Sequence, residues 1–167
     1  MTQSPIAVAI HEAAHAVIGR QLGIACGDVT TEGEPDVSVG HAVVSDPRFS
    51  WERGDGPKRD AADRFAMALY AGAEAERLLL GVSEPCGDGV DQDRATACLA
   101  WAGAVRGASF VGDDAFDRHE ARLRAKVRPL VLRHSDAIRA VASALMDRKS
   151  LAAEEVDRIL QPPTAMI

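Results

Sequence analysis

The stretch Ile10-His11-Glu12-Ala13-Ala14-His15-Ala16-Val17 decides the fold and contains the pattern HExxH within an apolar, alanine-rich run. Residues four positions apart lie on one face of a helix, so His11 and His15 can direct two imidazole nitrogens at one metal ion. Glu12 follows the first histidine and can reach water activated by that metal. The pattern is typical of zinc peptidases, which need a Lewis acid, water and a carboxylate base. The alternative is a helix that carries two histidines by chance, with Glu12 as a solvated surface charge.

The sequence around this pattern predicts a helix over residues 5–22. Ser4 is suited to the N-cap and Pro5 to the first helical position, where its missing N–H has no cost. Apolar residues recur at helical spacing up to Leu22, and Gly23 suits the left-handed position after a helix. Two imidazoles inside this apolar helix need partners, which a metal ion or core hydrogen bonds would supply.

Composition indicates one globular, largely helical domain. The chain has 167 residues, of which 47% are hydrophobic and only 4% aromatic, and it is rich in alanine. This composition favours helices over a β-sandwich or barrel. No linker or repeat divides the chain, so we predict a single domain over residues 1–160. Residues 161–167 contain two prolines and are expected to be a frayed tail.

Charge and cysteine content exclude several classes of protein. The net charge of −6 argues against a nucleic-acid partner. No apolar run is long enough for a membrane segment, and the N-terminus lacks a signal pattern, so we expect a cytoplasmic protein. The three cysteines are widely spaced and odd in number, which predicts reduced thiols rather than a disulfide framework: Cys26, Cys86 and Cys98.

The rest of the pattern predicts a mainly α (α+β) fold with a small two- or three-stranded sheet. Residues 28–31 and the valine-rich stretch 37–44 are predicted strands. Helices are predicted from residue 58 to Gly81, from Asp91, over 114–132 and over 137–147, and Ser150 is the predicted N-cap of a last helix. The small residues around Gly72 would allow the second helix to approach the histidine helix closely.

A catalytic zinc site usually has three protein ligands, and the sequence leaves the third open. The HxxGxxH extension found in some zinc peptidases does not follow His15. The acidic, glycine-containing turn before the helix at Asp91 is the favoured place for the third ligand. The candidates are His41, His119, His134, Glu74, Glu76, Asp88, Asp91 and Asp93.

These motifs together resemble the zinc peptidase domain of the FtsH-type AAA proteases. That family has HEAGHA, and this chain has HEAAHA over residues 11–16. Residues 71–81 are similar to a family stretch containing Gly-Gly-Arg-Ala-Ala-Glu-Glu-Leu and ending in glycine. Asp91, followed by Ala95 and Thr96, is similar to the family's Asn-Asp before Ala-Thr. Residues 151–156 resemble the start of the family's final helix, so the resemblance spans nearly the whole chain in order.

The resemblance implies a helical, zincin-like peptidase domain with one Zn²⁺ per chain. It implies that His11, His15 and Asp91 bind the metal and that Glu12 is the catalytic base. Asp88 is the main rival to Asp91, because Val90 replaces the family's Asn and both acids are suitable oxygen ligands.

The resemblance also implies that the edge strand of the small sheet borders the zinc site. An extended peptide could then bind by strand addition, which requires little sequence preference. The candidate substrate-binding residues on this strand are Val39, Gly40, His41 and Ala42. Glu76 is a candidate partner that orients a ligand histidine, or an ordinary helix charge.

The chain departs from the family in having no GxxxxGK[ST] motif, the phosphate-binding loop of an ATPase. We therefore expect a free-standing domain that acts on peptides or unfolded proteins, either alone or together with a separate AAA ATPase. A homo-oligomer is possible, and the sequence does not decide the oligomeric state. The predicted function is a zinc metalloendopeptidase that hydrolyses extended or unfolded polypeptides through metal-activated water. One alternative is a catalytically impaired zinc-binding interaction or regulatory module of the same family. A metal-free helical domain is the other.

Overall fold

The computed structural model describes residues 4–33, 40–50, 56–86, 88–107, 111 and 113–161. Seven helices and three short strands occur in this part of the chain, so the predicted mainly helical fold with a small sheet is confirmed. The elements are α1 (Pro5–Gln21), β1 (Cys26–Thr30), β2 (His41–Val44), the single turn α2 (Arg48–Ser50), α3 (Arg59–Ala75), α4 (Asp88–Trp101), α5 (Asp114–Arg133), α6 (Ser135–Arg148), β3 (Ser150–Leu151) and α7 (Ala153–Leu160). The predicted tail beyond Gln161 lies outside the described residues.

The central element is α1, in which every residue from Ala7 to Gly19 is buried. A helix that is covered on all sides must lie in the middle of the domain. It packs against α3 and α6 and against strands β1 and β2, while α3 also packs against α4 and α5. The helix begins at Pro5, as predicted. Ser4 occupies the N-cap position without a side-chain hydrogen bond, and its carbonyl oxygen accepts from the N–H of Ala7 at 2.9 Å.

Helix α3 ends in a wider turn that places Glu76. Residues Glu76–Leu80 form a π-helical turn, and Gly81 ends it with a left-handed φ of 70°. Such turns are uncommon and occur often at functional sites. Glu76 is the first residue of this turn, and it is only 1% exposed although its side chain is charged. The change in helix type therefore brings a carboxylate into the interior.

The sheet is antiparallel and has the order β2-β1-β3. Thr30 of β1 pairs with His41 of β2 on one side and with Ser150 of β3 on the other. β2 is thus at the edge, and the part of its predicted range over residues 37–39 lies outside the described residues. The first predicted strand is shifted by two residues at its start, because β1 begins at Cys26.

The prediction that Ser150 caps the last helix is wrong. Ser150 lies in β3, and Ala152 occupies the N-cap position of α7. The N–H of Ala152 donates to the carboxylate of Glu155 at 2.9 Å, which replaces the expected serine cap. No helix in the described ranges is both long and apolar enough to cross a membrane.

Candidate metal centre

His11 and His15 lie one turn apart on α1, and both meet the same oxygen of Asp91. The Nε2 atoms of His11 and His15 are 3.0 and 3.1 Å from Oδ2 of Asp91, which is the fourth residue of α4. The two rings are 4.6 Å apart between centroids and nearly perpendicular. All three residues are buried, at 3%, 4% and 9% exposure. Residues separated by about eighty positions in the sequence thus converge on one point.

The other nitrogen of each ring has a partner that fixes which nitrogen carries the proton. Nδ1 of His15 is 2.8 Å from the carbonyl oxygen of Ala68, and Nδ1 of His11 is 2.6 Å from Oε1 of Glu76. A carbonyl oxygen only accepts, so Nδ1 of His15 must donate. In a neutral ring, Nε2 then presents a lone pair to Asp91. The same arrangement holds for His11, since an ionised Glu76 also only accepts.

Three electron-pair donors consequently face one another at the centre. Two imidazole lone pairs and a carboxylate oxygen repel at about 3 Å unless a cation or added protons lie between them. Zinc bonds of about 2.0–2.2 Å in a tetrahedron place neighbouring ligand atoms about 3.3 Å apart, close to the observed separations. The ligand atoms of His11, His15 and Asp91 all lie within 4.8 Å of one another. The donor set therefore fits a metal ion, and its role as a ligand set stays a prediction.

Burial and the contacts between His11, His15 and Asp91 shift the pKa values of His11 and Asp91. Burial opposes the charged form of His11, but its hydrogen bonds to Asp91, Cys86 and Glu76 outweigh burial and raise its pKa well above the usual value. For Asp91, burial alone would raise the pKa. The charge of His15 and the hydrogen bonds from both histidines outweigh that effect and hold the pKa far below its usual range. A proton on His11 thus balances the negative charge of Asp91 in the metal-free protein.

We expect zinc affinity to fall as the pH is lowered, because zinc must displace a proton from His11. The pKa of His11 is raised, so this competition begins above the usual histidine range. Below that pKa the apparent dissociation constant rises by about tenfold per pH unit for each proton displaced. Competition titrations with a fluorescent chelator between about pH 6 and about pH 9 measure this slope. An affinity that does not change with pH would show that no protonated ligand is displaced.

Glu12 lies beside the centre without taking part in it. The residue is 7% exposed, and its side chain has no hydrogen-bond partner within the described part of the chain. Burial raises the pKa of this carboxyl group, and the positive charges of His15 and His11 counteract part of the effect. A Cβ built on Gly40 would lie 3.2 Å from Cγ of Glu12, so the residue before β2 passes directly over it. Glu12 is therefore a carboxylate kept free between the centre and the edge strand.

Cys86 supports the centre from behind Glu76. Its N–H and its thiol donate to Oε1 of Glu76, each at 3.0 Å. His11, Glu76 and Cys86 form a second group that could hold a metal. Burial raises the pKa of Cys86, however, and a metal binds the thiolate rather than the thiol. The group with His15 and Asp91 is therefore the better candidate for a metal site, while Glu76, held by Cys86, orients the ring of His11.

The close approach of α1 and α3 depends on Gly72. A Cβ atom at this position would lie 2.6 Å from Nε2 of His11, closer than any real contact. The prediction that small residues allow these two helices to approach is confirmed, and the structure shows that the ring of His11 occupies the space that the glycine leaves. His11 is buried and held by Glu76, so it has little freedom to move away.

Replacing Gly72 by Ala should therefore destabilise the protein and disturb the centre. Overpacking of this kind costs about 1–3 kcal/mol of the free energy of unfolding, which urea unfolding of the metal-free protein measures. Gly89→Ala is the matched control, because a Cβ there meets nothing within 4 Å. A Gly72→Ala variant that equals wild type in stability and zinc affinity would show that His11 is not confined as described.

Other predicted site residues lie elsewhere. His41 is exposed on β2 at the side of Glu12, whose pKa its charge lowers slightly, and Ala42 follows it. Glu74 is buried in ion pairs with Arg77, Arg124 and Arg128. His119 bonds Asp63, His134 connects α5 to α6, and Asp93 is exposed. Val39 and the side chain of Asp88 lie outside the described residues.

Comparison with known proteins adds no assignment to this geometry. No protein-family model matches the chain, and no curated protein matches it either.

Proposed function

We propose that this protein is a zinc-dependent metallopeptidase, similar to the peptidase domain of the FtsH-type AAA proteases, that cleaves extended or unfolded polypeptides. The observation that carries the proposal is the convergence of His11, His15 and Asp91 on one point, with Glu12 unpaired beside it. Zinc held by these residues would supply a Lewis acid that acidifies water and polarises a peptide carbonyl group.

The protein's own residues supply the remaining parts of a hydrolysis. Glu12 is positioned to accept a proton from the attacking water and to return it to the leaving amine. Its raised pKa makes the ionised carboxylate a stronger base than one in water. Glu76 and the carbonyl of Ala68 keep the Nδ1 proton on each ring and so direct both Nε2 atoms inwards.

The edge strand β2 supplies a surface for the substrate. Strand β2 pairs with β1 on one side, and its other edge faces no strand among the described residues. Gly40 and His41 bring the start of this edge beside Glu12. A peptide added to the edge would lie extended along it through main-chain hydrogen bonds. Folded proteins should be poor substrates, because their chains cannot adopt this conformation.

The proposal is tested with one protein in two forms. The zinc-loaded chain is incubated with a small disulfide-bonded protein in its folded form. In a parallel sample it is incubated with the same protein after reduction and alkylation, which unfold it. We expect cleavage of the unfolded form only and complete loss of cleavage with the chelator 1,10-phenanthroline. Tight zinc binding without cleavage of either form would contradict the peptidase proposal and favour a regulatory zinc-binding module.

A further inference from the structure

A cleft outside the candidate metal centre is lined by arginines. It has a volume of about 520 Å³ and lies between the N-terminal end of α3, the segment after α4 and the first half of α5. It shares no lining residue with the His11 centre. Four exposed arginines line it, together with small apolar residues. The arginines are Arg59, Arg106, Arg118 and Arg122.

The charge of the cleft is opposite to that of the whole protein. Among the described residues that line the cleft, Asp63 is the single acidic one, so these residues carry a formal charge of +3 in a chain with a net charge of −6. Arg59, Arg106 and Arg118 form no ion pair with any residue that the structure describes. The three residues are exposed, so water screens their mutual repulsion, and their N–H donors are open to an anion that enters the cleft.

A buried histidine positions the fourth arginine. His119 is 6% exposed, and its Nε2 atom is 2.7 Å from Oδ1 of Asp63. Its Nδ1 atom is 2.6 Å from Nη2 of Arg122. A guanidinium group only donates, so Nδ1 must accept and the ring carries its proton on Nε2, which donates to Asp63. The chain Arg122–His119–Asp63 thus holds one guanidinium group in place at the cleft.

We propose that this cleft binds a small multivalent oxyanion, a ligand that carries phosphate or carboxylate groups. Guanidinium groups bind both kinds of anion through paired N–H donors, and Arg122 is pre-positioned by a buried partner. The volume lies within the range of small-molecule sites, and the apolar part of the wall can contact the body of the ligand. The site is separate from the peptidase proposal and does not depend on it.

Nitrogen-15 NMR titrations of the full chain test this site, with inorganic phosphate and succinate as probes, since both are weak zinc chelators. We expect saturable shifts at residues 59–63, 104–106 and 115–122. Saturation with phosphate alone assigns a phosphate ligand, saturation with succinate alone assigns a carboxylate ligand, and both support an oxyanion site.

The matched variants separate the cleft from general charge attraction. Arg118→Gln should weaken binding about tenfold. Arg133→Gln, on the exposed end of the same helix, should leave it unchanged. Failure of both probes to saturate, shifts spread over exposed arginines throughout the chain, or equal weakening by both variants would overturn the proposal.

Discussion

Replacing Glu12 by Gln should abolish peptide hydrolysis while the protein keeps one zinc ion per chain. Glutamine has nearly the same shape but cannot accept a proton, and loss of a general base slows such reactions by about 10²–10⁴-fold. Glu12 lies beside the ligand set but outside it, so the metal should remain. Cleavage of an unfolded substrate and elemental analysis of the same sample measure the two properties together.

The control for this variant is Glu154→Gln, which makes the same change at an exposed position on α7. It should leave both activity and zinc content at the wild-type level. Wild-type turnover by Glu12→Gln would remove Glu12 from the mechanism. Loss of zinc together with activity would instead show that Glu12 contributes to metal binding.

Replacing Asp91 by Asn should greatly weaken zinc binding. The change removes the only anion that faces both Nε2 atoms in the described part of the site. Removal of one partner from a buried charged set costs about 3 kcal/mol or more, which corresponds to about 10²-fold in affinity. Asparagine preserves the side-chain shape, so circular dichroism should still report a folded, largely helical protein.

Asp88→Asn is the matched control, because the sequence left Asp88 as the rival ligand three residues earlier on the same helix. We expect its zinc affinity to equal that of wild type. If Asp88→Asn loses zinc and Asp91→Asn retains it, the third ligand has been assigned to the wrong carboxylate.

Local sequence patterns predicted most of the helices and strands. The wrong predictions occur where segments that are distant in the sequence come into contact. The boundaries of α1 could be predicted from Pro5 and Gly23, because each of these residues affects the backbone conformation only next to itself. Ser150 resembles a helix cap in sequence, but its backbone pairs with Thr30 and becomes a strand. Nothing within a few residues of Ser150 encodes this pairing, because the partner lies about 120 positions earlier.

The centre shows the same division between local and distant information. Helix spacing alone brings His11 and His15 together, whereas the acidic turn indicated only a region for the third ligand, and Asp91 was chosen there through a family resemblance. The Ala68 carbonyl could not have been found from sequence, because every residue has one. Cys86 was predicted only to be a reduced thiol, yet its N–H and thiol both donate to Glu76. The sequence shows Gly72 only as a small residue in a predicted helix, and it does not show that the ring of His11 packs against it.

The most direct measurement is zinc K-edge X-ray absorption on the wild-type protein loaded with one equivalent of zinc. Binding by His11, His15 and Asp91 predicts nitrogen and oxygen neighbours only, with the multiple-scattering pattern of two imidazoles. A sulfur neighbour from Cys86, a single imidazole, or the absence of tightly bound zinc would contradict the proposed centre.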